Sequence, residues 1–202
     1  MITIVDYGVG NFGSVLNMFR HIGIESEITS DISVLKRAKK LCLPGVGGFD
    51  TAMARLNKKT DLRKVLDDMV LNKKIPVLGV CLGMQLLMES SEEGQKEGLG
   101  WIPGVVKRFP INLGVRVPHM GWNTISFTRD SKLTVNIDQQ SKYYFVHSYY
   151  VKVRNKKDSI TKSYHGLEFD SAISKNNIYG VQFHPEKSHR YGMEVFKNFS
   201  KI

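Results

Sequence analysis

Ile75-Pro76-Val77-Leu78-Gly79-Val80-Cys81-Leu82-Gly83-Met84-Gln85-Leu86-Leu87-Met88-Glu89 is the stretch whose reading decides the fold. Its apolar, β-branched first half reads as a buried strand, and the Leu/Met/Gln-rich second half reads as a helix. Between them lies Gly79-x-Cys81-x-Gly83, a thiol version of the G-x-S-x-G nucleophile elbow. A nucleophile pushed out at a sharp strand-to-helix turn leaves no room for Cβ atoms two residues to either side, which accounts for both glycines. The turn would set the sulfur at a helix N-terminus, where the dipole and free N–H groups favour a thiolate. The same residues also suit an inert cysteine packed where a strand meets a helix. The elbow alone does not choose between them.

Upstream, Ile2–Asp6 reads as a first strand, followed by Gly8-Val9-Gly10-Asn11-Phe12-Gly13 and a helical run to about Ile22. The loop matches G-x-G-x-x-G, the dinucleotide fingerprint, and Asp31 lies where a ribose-binding acid is expected. Asp31 reads better as the N-cap of the next helix, after a short strand around Glu25–Thr29. Leu41-Cys42-Leu43 is a third strand running into Pro44-Gly45-Val46-Gly47-Gly48, and helices are expected over Phe49–Asn57 and Asp61–Asn72. Alternating strands and helices imply a largely parallel sheet with its ligands at the strand C-terminal ends. Cys81, the Gly8 loop and the Pro44–Gly48 loop should therefore share one face. The 44–48 loop can turn backbone N–H groups toward an oxyanion, joined by the N–H of Leu82.

After Ser90 the pattern changes. Ser91–Gly100 reads as a polar surface loop. Beyond it lie short β-rich runs that read as antiparallel strands and hairpins, at Val105–Phe109, Thr124–Phe127, Tyr143–Val146, Tyr149–Val153, Ile160–Ser163, Phe169–Ser174 and Ile178–Phe183. A last helix is expected from about Ser188 to Phe199. No linker or repeat divides residues 1–202, so one α/β domain with a β-rich second half is expected.

Composition narrows the function classes. With 202 residues and 42% hydrophobic content the chain can bury a full core. Two cysteines at unlike positions make no disulfide framework and suit a reducing, cytoplasmic setting. No basic leader opens the sequence, and no apolar run approaches the roughly 18 residues that span a bilayer. The net charge of +10 raises nucleic acid as a partner. The basic residues come as scattered pairs, Lys39-Lys40, Lys58-Lys59, Lys73-Lys74, Lys107-Arg108 and Lys156-Lys157, without interleaved aromatic platforms. Neither nucleic acid nor membrane is expected as a partner.

A cysteine nucleophile needs a base and a group to orient it. Among six histidines, His184 stands out: the strand Tyr179-Gly180-Val181-Gln182-Phe183 ends at His184-Pro185-Glu186. Proline fixes the backbone there, so His184 and Glu186 can align as base and orienting carboxylate. His184, Glu186 and His189 could instead be metal ligands, but they lack any recognisable zinc spacing. No metal and no cofactor is called for.

Gly-Val-Cys81-Leu-Gly-Met-Gln85 together with Gln182-Phe-His184-Pro-Glu186 resembles the class I (triad) glutamine amidotransferases. Asp6-Tyr-Gly-x-Gly-Asn11, Pro44-Gly-Val-Gly47, Gly100-Trp-Ile-Pro-Gly104, Pro118-His-Met-Gly-Trp-Asn123 and Phe145-Val-His-Ser-Tyr-Tyr150 are similar to the glutaminase subunits of imidazole glycerol phosphate synthases. The resemblance implies a flavodoxin-like α/β domain: a largely parallel central sheet flanked by helices, with an added antiparallel part. It implies hydrolysis of glutamine to glutamate and ammonia by Cys81, His184 and Glu186 through a thioester. Val46, Gly47 and Leu82 would form the oxyanion hole, and Gly45, Gln85, Ser148 and Tyr149 would hold the substrate. It further implies a (β/α)8 cyclase partner that receives the ammonia, docked through Asn11, Met120, Trp122 and Lys187. The segments Lys187-Ser-His-Arg-Tyr-Gly-Met193 and His165-Gly-Leu-Glu168 look more like relatives that supply ammonia for acetamidino sugars of surface polysaccharides. The histidine-pathway assignment is preferred, and the other stays open.

Overall fold

The computed structural model describes residues 1–58 and 60–202, so Lys59 of the Lys58-Lys59 pair lies outside the described residues. Strand β1 (Ile2–Val5) is buried along its whole length. Helix α1 (Phe12–His21) presses Val15 and Phe19 into the core, and β2 (Ser26–Thr29) follows. Asp31 caps α2 (Ile32–Leu35) by accepting the Ser33 N–H at 2.7 Å, the N-cap geometry its position predicts. Then come β3 (Leu41–Gly45), α3 (Phe49–Lys58), α4 (Thr60–Asp67), β4 (Val77–Cys81) and α5 (Leu82–Leu86). The second half runs β5 (Ser90–Ser91), β6 (Gly104–Arg108), β7 (His119–Thr124), β8 (Ser126–Phe127), β9 (Lys142–His147) and β10 (Tyr149–Val153). It closes with β11 (Ser159–His165), β12 (Leu167–Lys175), β13 (Ile178–Val181) and α6 (His189–Lys201).

Five strands, in the order β2-β1-β3-β4-β13, run parallel and form one side of an eleven-stranded sheet among the described residues. Strands β12, β10 and β6 extend it in antiparallel pairing. Both faces are covered. One carries α3–α5 residues such as Phe49, Met53 and Met84, and the other carries α1 and α6 through Phe19, Phe196 and Phe199. This is the reason β1, β3 and β4 read as continuous apolar runs. In register, Gly45 lies opposite Cys81, and Val80 opposite Val181. The C-terminal ends of β1, β3 and β4 therefore open onto one edge, as the alternation of elements implied. Strand β13, expected among the antiparallel runs, instead pairs in parallel with β4, so its C-terminal end joins them.

Three further local expectations differ from the structure. The helix after Cys81 was expected through Glu89 but stops at Leu86. The carbonyls of Leu86, Leu87 and Met88 instead accept the N–H groups of Leu99, Ile102 and Gly100, drawing the 98–102 segment against the sheet. The helix expected over Asp61–Asn72 ends in a π turn at Asp68–Asn72. Where a strand was expected at Thr124–Phe127, the longer strand lies earlier, at His119–Thr124. It pairs with β9 in a separate two-stranded sheet, with Trp122 opposite Tyr144. Proline and glycine hide that strand in the sequence. Gly121 adopts φ 128°, so one residue of β7 departs from ordinary strand geometry. The neighbouring runs β9 and β10 thus belong to different sheets, with Ser148 between them.

Candidate active site

The elbow is built by close packing. Cys81 ends β4 at φ 53° and ψ −109°, a strained backbone for a side-chain-bearing residue that costs on the order of 1–3 kcal/mol. A Cβ on Gly79 would lie 2.6 Å from the Gly83 carbonyl oxygen, and one on Gly83 would run into the Leu43 carbonyl. Both glycines of the motif are therefore demanded by backbone on backbone. A third is as crowded: a Cβ on Gly45 would sit 2.5 Å from the Tyr7 hydroxyl and 2.9 Å from the Gly83 N. Buried Tyr7, at the end of β1, donates its hydroxyl to the Pro44 carbonyl at 2.7 Å and pins the 44–48 loop from below.

His184 follows β13, and its Nδ1–H donates to Glu186 Oε1 at 2.7 Å, with both side chains almost wholly buried. Burial works against the charged ring, but the Cys81 sulfur and the Glu186 carboxylate overcome it, and the His184 pKa is pushed up to about 10. His184 Nε2 is buried without a hydrogen-bond partner, and Glu186 Oε2 likewise. A buried, unsatisfied ring nitrogen beside a cysteine is a proton shuttle held ready.

A cavity of about 370 Å3 opens over these groups. Cys81, Leu82, Val46, Gly47, Gln85, Ser148, Tyr149, His184 and Lys187 all line it. Glu186 stands behind His184, and Gly45 lies beneath the loop. Asn11 Nδ2 sits 3.5 Å from Glu186 Oε1, so its side chain reaches back to the triad. Met120 and Trp122 stay outside the cavity on β7, 63% and 48% exposed. Trp122 stacks on His189 (centroids 5.6 Å apart, planes 8° apart), and Lys187 Nζ lies over the Tyr144 ring.

Sequence reasoning gave no role to two groups here. Gln182, fully buried, receives a hydrogen bond from Gln85 Nε2 at 3.1 Å and directs its own Nε2 at Cys81 Sγ, 3.7 Å away. Its place two residues before His184, just past β13, was the available signal. Glu93 lines the cavity and accepts the Phe49 N–H at 3.1 Å, and burial raises its pKa. It lies in a stretch that reads only as a polar loop.

The dinucleotide reading finds no support in the geometry. The third glycine of such a fingerprint permits close helix–strand packing. A Cβ on Gly13, however, would meet nothing within 4 Å. The Gly8 N–H is taken by the Asp6 carboxylate at 2.8 Å, and Asp31 is occupied as a cap. Among the described residues no cluster of three metal-ligating side chains is found, and no helix is long and apolar enough to cross a membrane.

An elbow cysteine on a parallel α/β sheet, with its base and carboxylate delivered by a neighbouring strand, defines a triad enzyme that attacks carbonyl carbon. Residues 3–202 match the family described as glutamine amidotransferase class-I, and the chain belongs to that family. The chain is 49% identical, over all of its length and 99% of the relative, to "Imidazole glycerol phosphate synthase subunit HisH 2" of Methanococcus maripaludis. It is 45% identical over the full length of both chains to the protein of the same name from Pseudomonas aeruginosa. Among solved structures, PurLQS from Thermotoga maritima shares the fold, with a TM-score of 0.75 at 14% identity, covering 99% of this chain and 97% of that one.

Proposed function

We propose that this chain is the glutaminase subunit of an imidazole glycerol phosphate synthase, a single amidotransferase domain working in the cytoplasm. The 2.7 Å His184–Glu186 bond behind a strained cysteine carries the reading. The Cys81 thiolate attacks the side-chain amide carbon of glutamine. The N–H groups of Leu82 and of the Val46–Gly47 loop receive the developing oxyanion. His184 Nε2 gives its proton to the departing nitrogen, ammonia leaves, and a thioester remains. Water then attacks, His184 takes up its proton, glutamate departs and the thiolate is restored. Glu186 holds the Nδ1–H throughout and keeps Nε2 toward the sulfur.

At the amino-acid end of the substrate, Glu93 offers a carboxylate to the α-ammonium, while Gln85, Ser148 and Tyr149 offer neutral hydrogen-bonding groups. Ammonia protonated in water is lost as a nucleophile, so it passes directly to a (β/α)8 cyclase. That partner makes imidazole glycerol phosphate and an aminoimidazole carboxamide ribotide. Met120, Trp122 and Lys187 are the docking residues, joined by Asn11, whose Nδ2 lies 3.5 Å from Glu186 Oε1.

One observation favours a second partner system. His189 and His165 come from the two segments that resemble the acetamidino-sugar relatives, and each packs on a residue of β7. His189 covers Trp122, and His165 stacks on His119 at 4.2 Å. The test is glutamate release with and without the histidine-pathway cyclase and its nucleotide ligand, with Cys81→Ala as the blank. Stimulation abolished in the variant supports the proposal. A cyclase active on free ammonia that elicits no release would transfer the subunit to the surface-sugar system.

A further inference from the structure

A chain of hydrogen bonds runs from β7 to the catalytic sulfur, and its polarity is fixed at each link. The Tyr149 carbonyl only accepts, so His147 Nδ1, 2.7 Å away, must carry the proton. His147 Nε2 is then bare and accepts from His119 Nδ1–H at 2.9 Å. His119 Nε2 in turn accepts from Asn123 Nδ2 at 3.2 Å. From the other side the same Tyr149 carbonyl receives Gln85 Nε2 at 3.0 Å. Gln85 spends its second N–H on Gln182, whose own amide reaches Cys81 Sγ. With both N–H groups committed, Gln85 has its carbonyl oxygen left for a donor in the cavity.

We infer that His147 and His119 are positioning residues for glutamine: by fixing the Tyr149 carbonyl from behind, they set the orientation of Gln85 and tie the glutamine pocket to strand β7. Both imidazoles are held neutral. Burial is the leading cause in each, lowering His147 to about 3 and His119 to about 4. A neutral pair keeps one proton per ring and so keeps the direction of the chain. Packing holds the rings in place, with His119 stacked on Phe145 and His147 against Phe169 and Phe109. The exposed Met120 and Trp122 follow His119 on β7, on the strand's outer face, so a partner pressing on β7 acts on the same chain.

The inference rests on the glutaminase reading, and its test separates the two. In the complex with the cyclase, His147→Phe keeps the aromatic packing and removes both hydrogen bonds. The KM for glutamine should rise about tenfold, with a smaller fall in kcat, as expected for an interaction that orients bound substrate. His147→Asn restores an N–H near the Nδ1 position and should recover most of that rise. A KM equal to wild type, or a loss that asparagine fails to rescue, would overturn the inference. Independently of any variant, 15N chemical shifts of the wild-type full chain should report both rings protonated at Nδ1. A proton on Nε2 of either ring would also overturn it. Wild-type complex that releases no glutamate would sink the glutaminase reading and this inference with it.

Discussion

Replacing Glu186 by glutamine tests whether charge, beyond shape, organises the triad. The substitution keeps the volume and an oxygen that can accept from His184 Nδ1. The charge that helps hold the ring protonated, with the His184 pKa near 10, is removed. A hydrogen bond between charged groups contributes about 1.5–3 kcal/mol. Tm falls about 2–4 °C per kcal/mol for a domain of this size, so the variant should melt about 3–12 °C lower at neutral pH. The sign of the pH dependence follows from linkage. A histidine raised on folding contributes stability that is complete below its unfolded pKa of about 6.5. That contribution disappears as pH climbs through about 10. The difference in stability between wild type and Glu186→Gln, from urea melts at matched pH, should therefore be full near pH 6.5 and shrink toward pH 10. Taking the difference cancels groups that titrate alike in both proteins. The kcat for glutamate release should drop at least a hundredfold, about the contribution of a positioned acid–base. A stability difference flat across pH 6.5–10, or a kcat near wild type, would refute the charged pair.

Gly83→Ala drives a methyl into the Leu43 carbonyl and should leave the chain either unfolded or devoid of glutaminase activity, read by circular dichroism beside turnover. Tyr7→Phe strands the Pro44 carbonyl in a buried site at a cost of about 1–3 kcal/mol, measured by urea denaturation. It should also lower kcat more than it raises KM, because the 44–48 loop loses its anchor. Glu93→Gln should raise the KM for glutamine about tenfold or more without lowering the Tm, and an unchanged KM would remove Glu93 from the substrate site. Trp122→Ala should weaken binding to the cyclase about thirtyfold by calorimetry, as expected for a central aromatic anchor. Wild-type affinity would put the interface elsewhere.

The centre of the fold was legible because its constraints are local. Gly79, Cys81 and Gly83 crowd one turn, and His184-Pro185-Glu186 places a base and its carboxylate two residues apart. The apolar runs of β1, β3 and β4 follow from burial on both faces. What escaped the sequence is set by distant contacts. Strand β7 forms because Lys142–His147 lies beside it, against the local preferences of Pro118 and Gly121. Helix α5 ends early because residues 98–102 compete for its carbonyls. Tyr7 reads as an ordinary core tyrosine until Pro44 is found above its hydroxyl. Gln182 and Glu93 carry no pattern of their own; only the cavity brings them to the nucleophile.

The order of strands in the central sheet also bears on how the chain is made. Strand β13 lies between β4 and β12, and the bond from Gln182 to Cys81 spans 101 residues of sequence. On a ribosome the nucleophile is thus complete long before its base has been translated. Pairing so distant in sequence is slow to form, because a long loop must close before any contact rewards it. A nascent chain therefore carries its cysteine without a proton shuttle, and glutamine is spared until synthesis has passed the final strand.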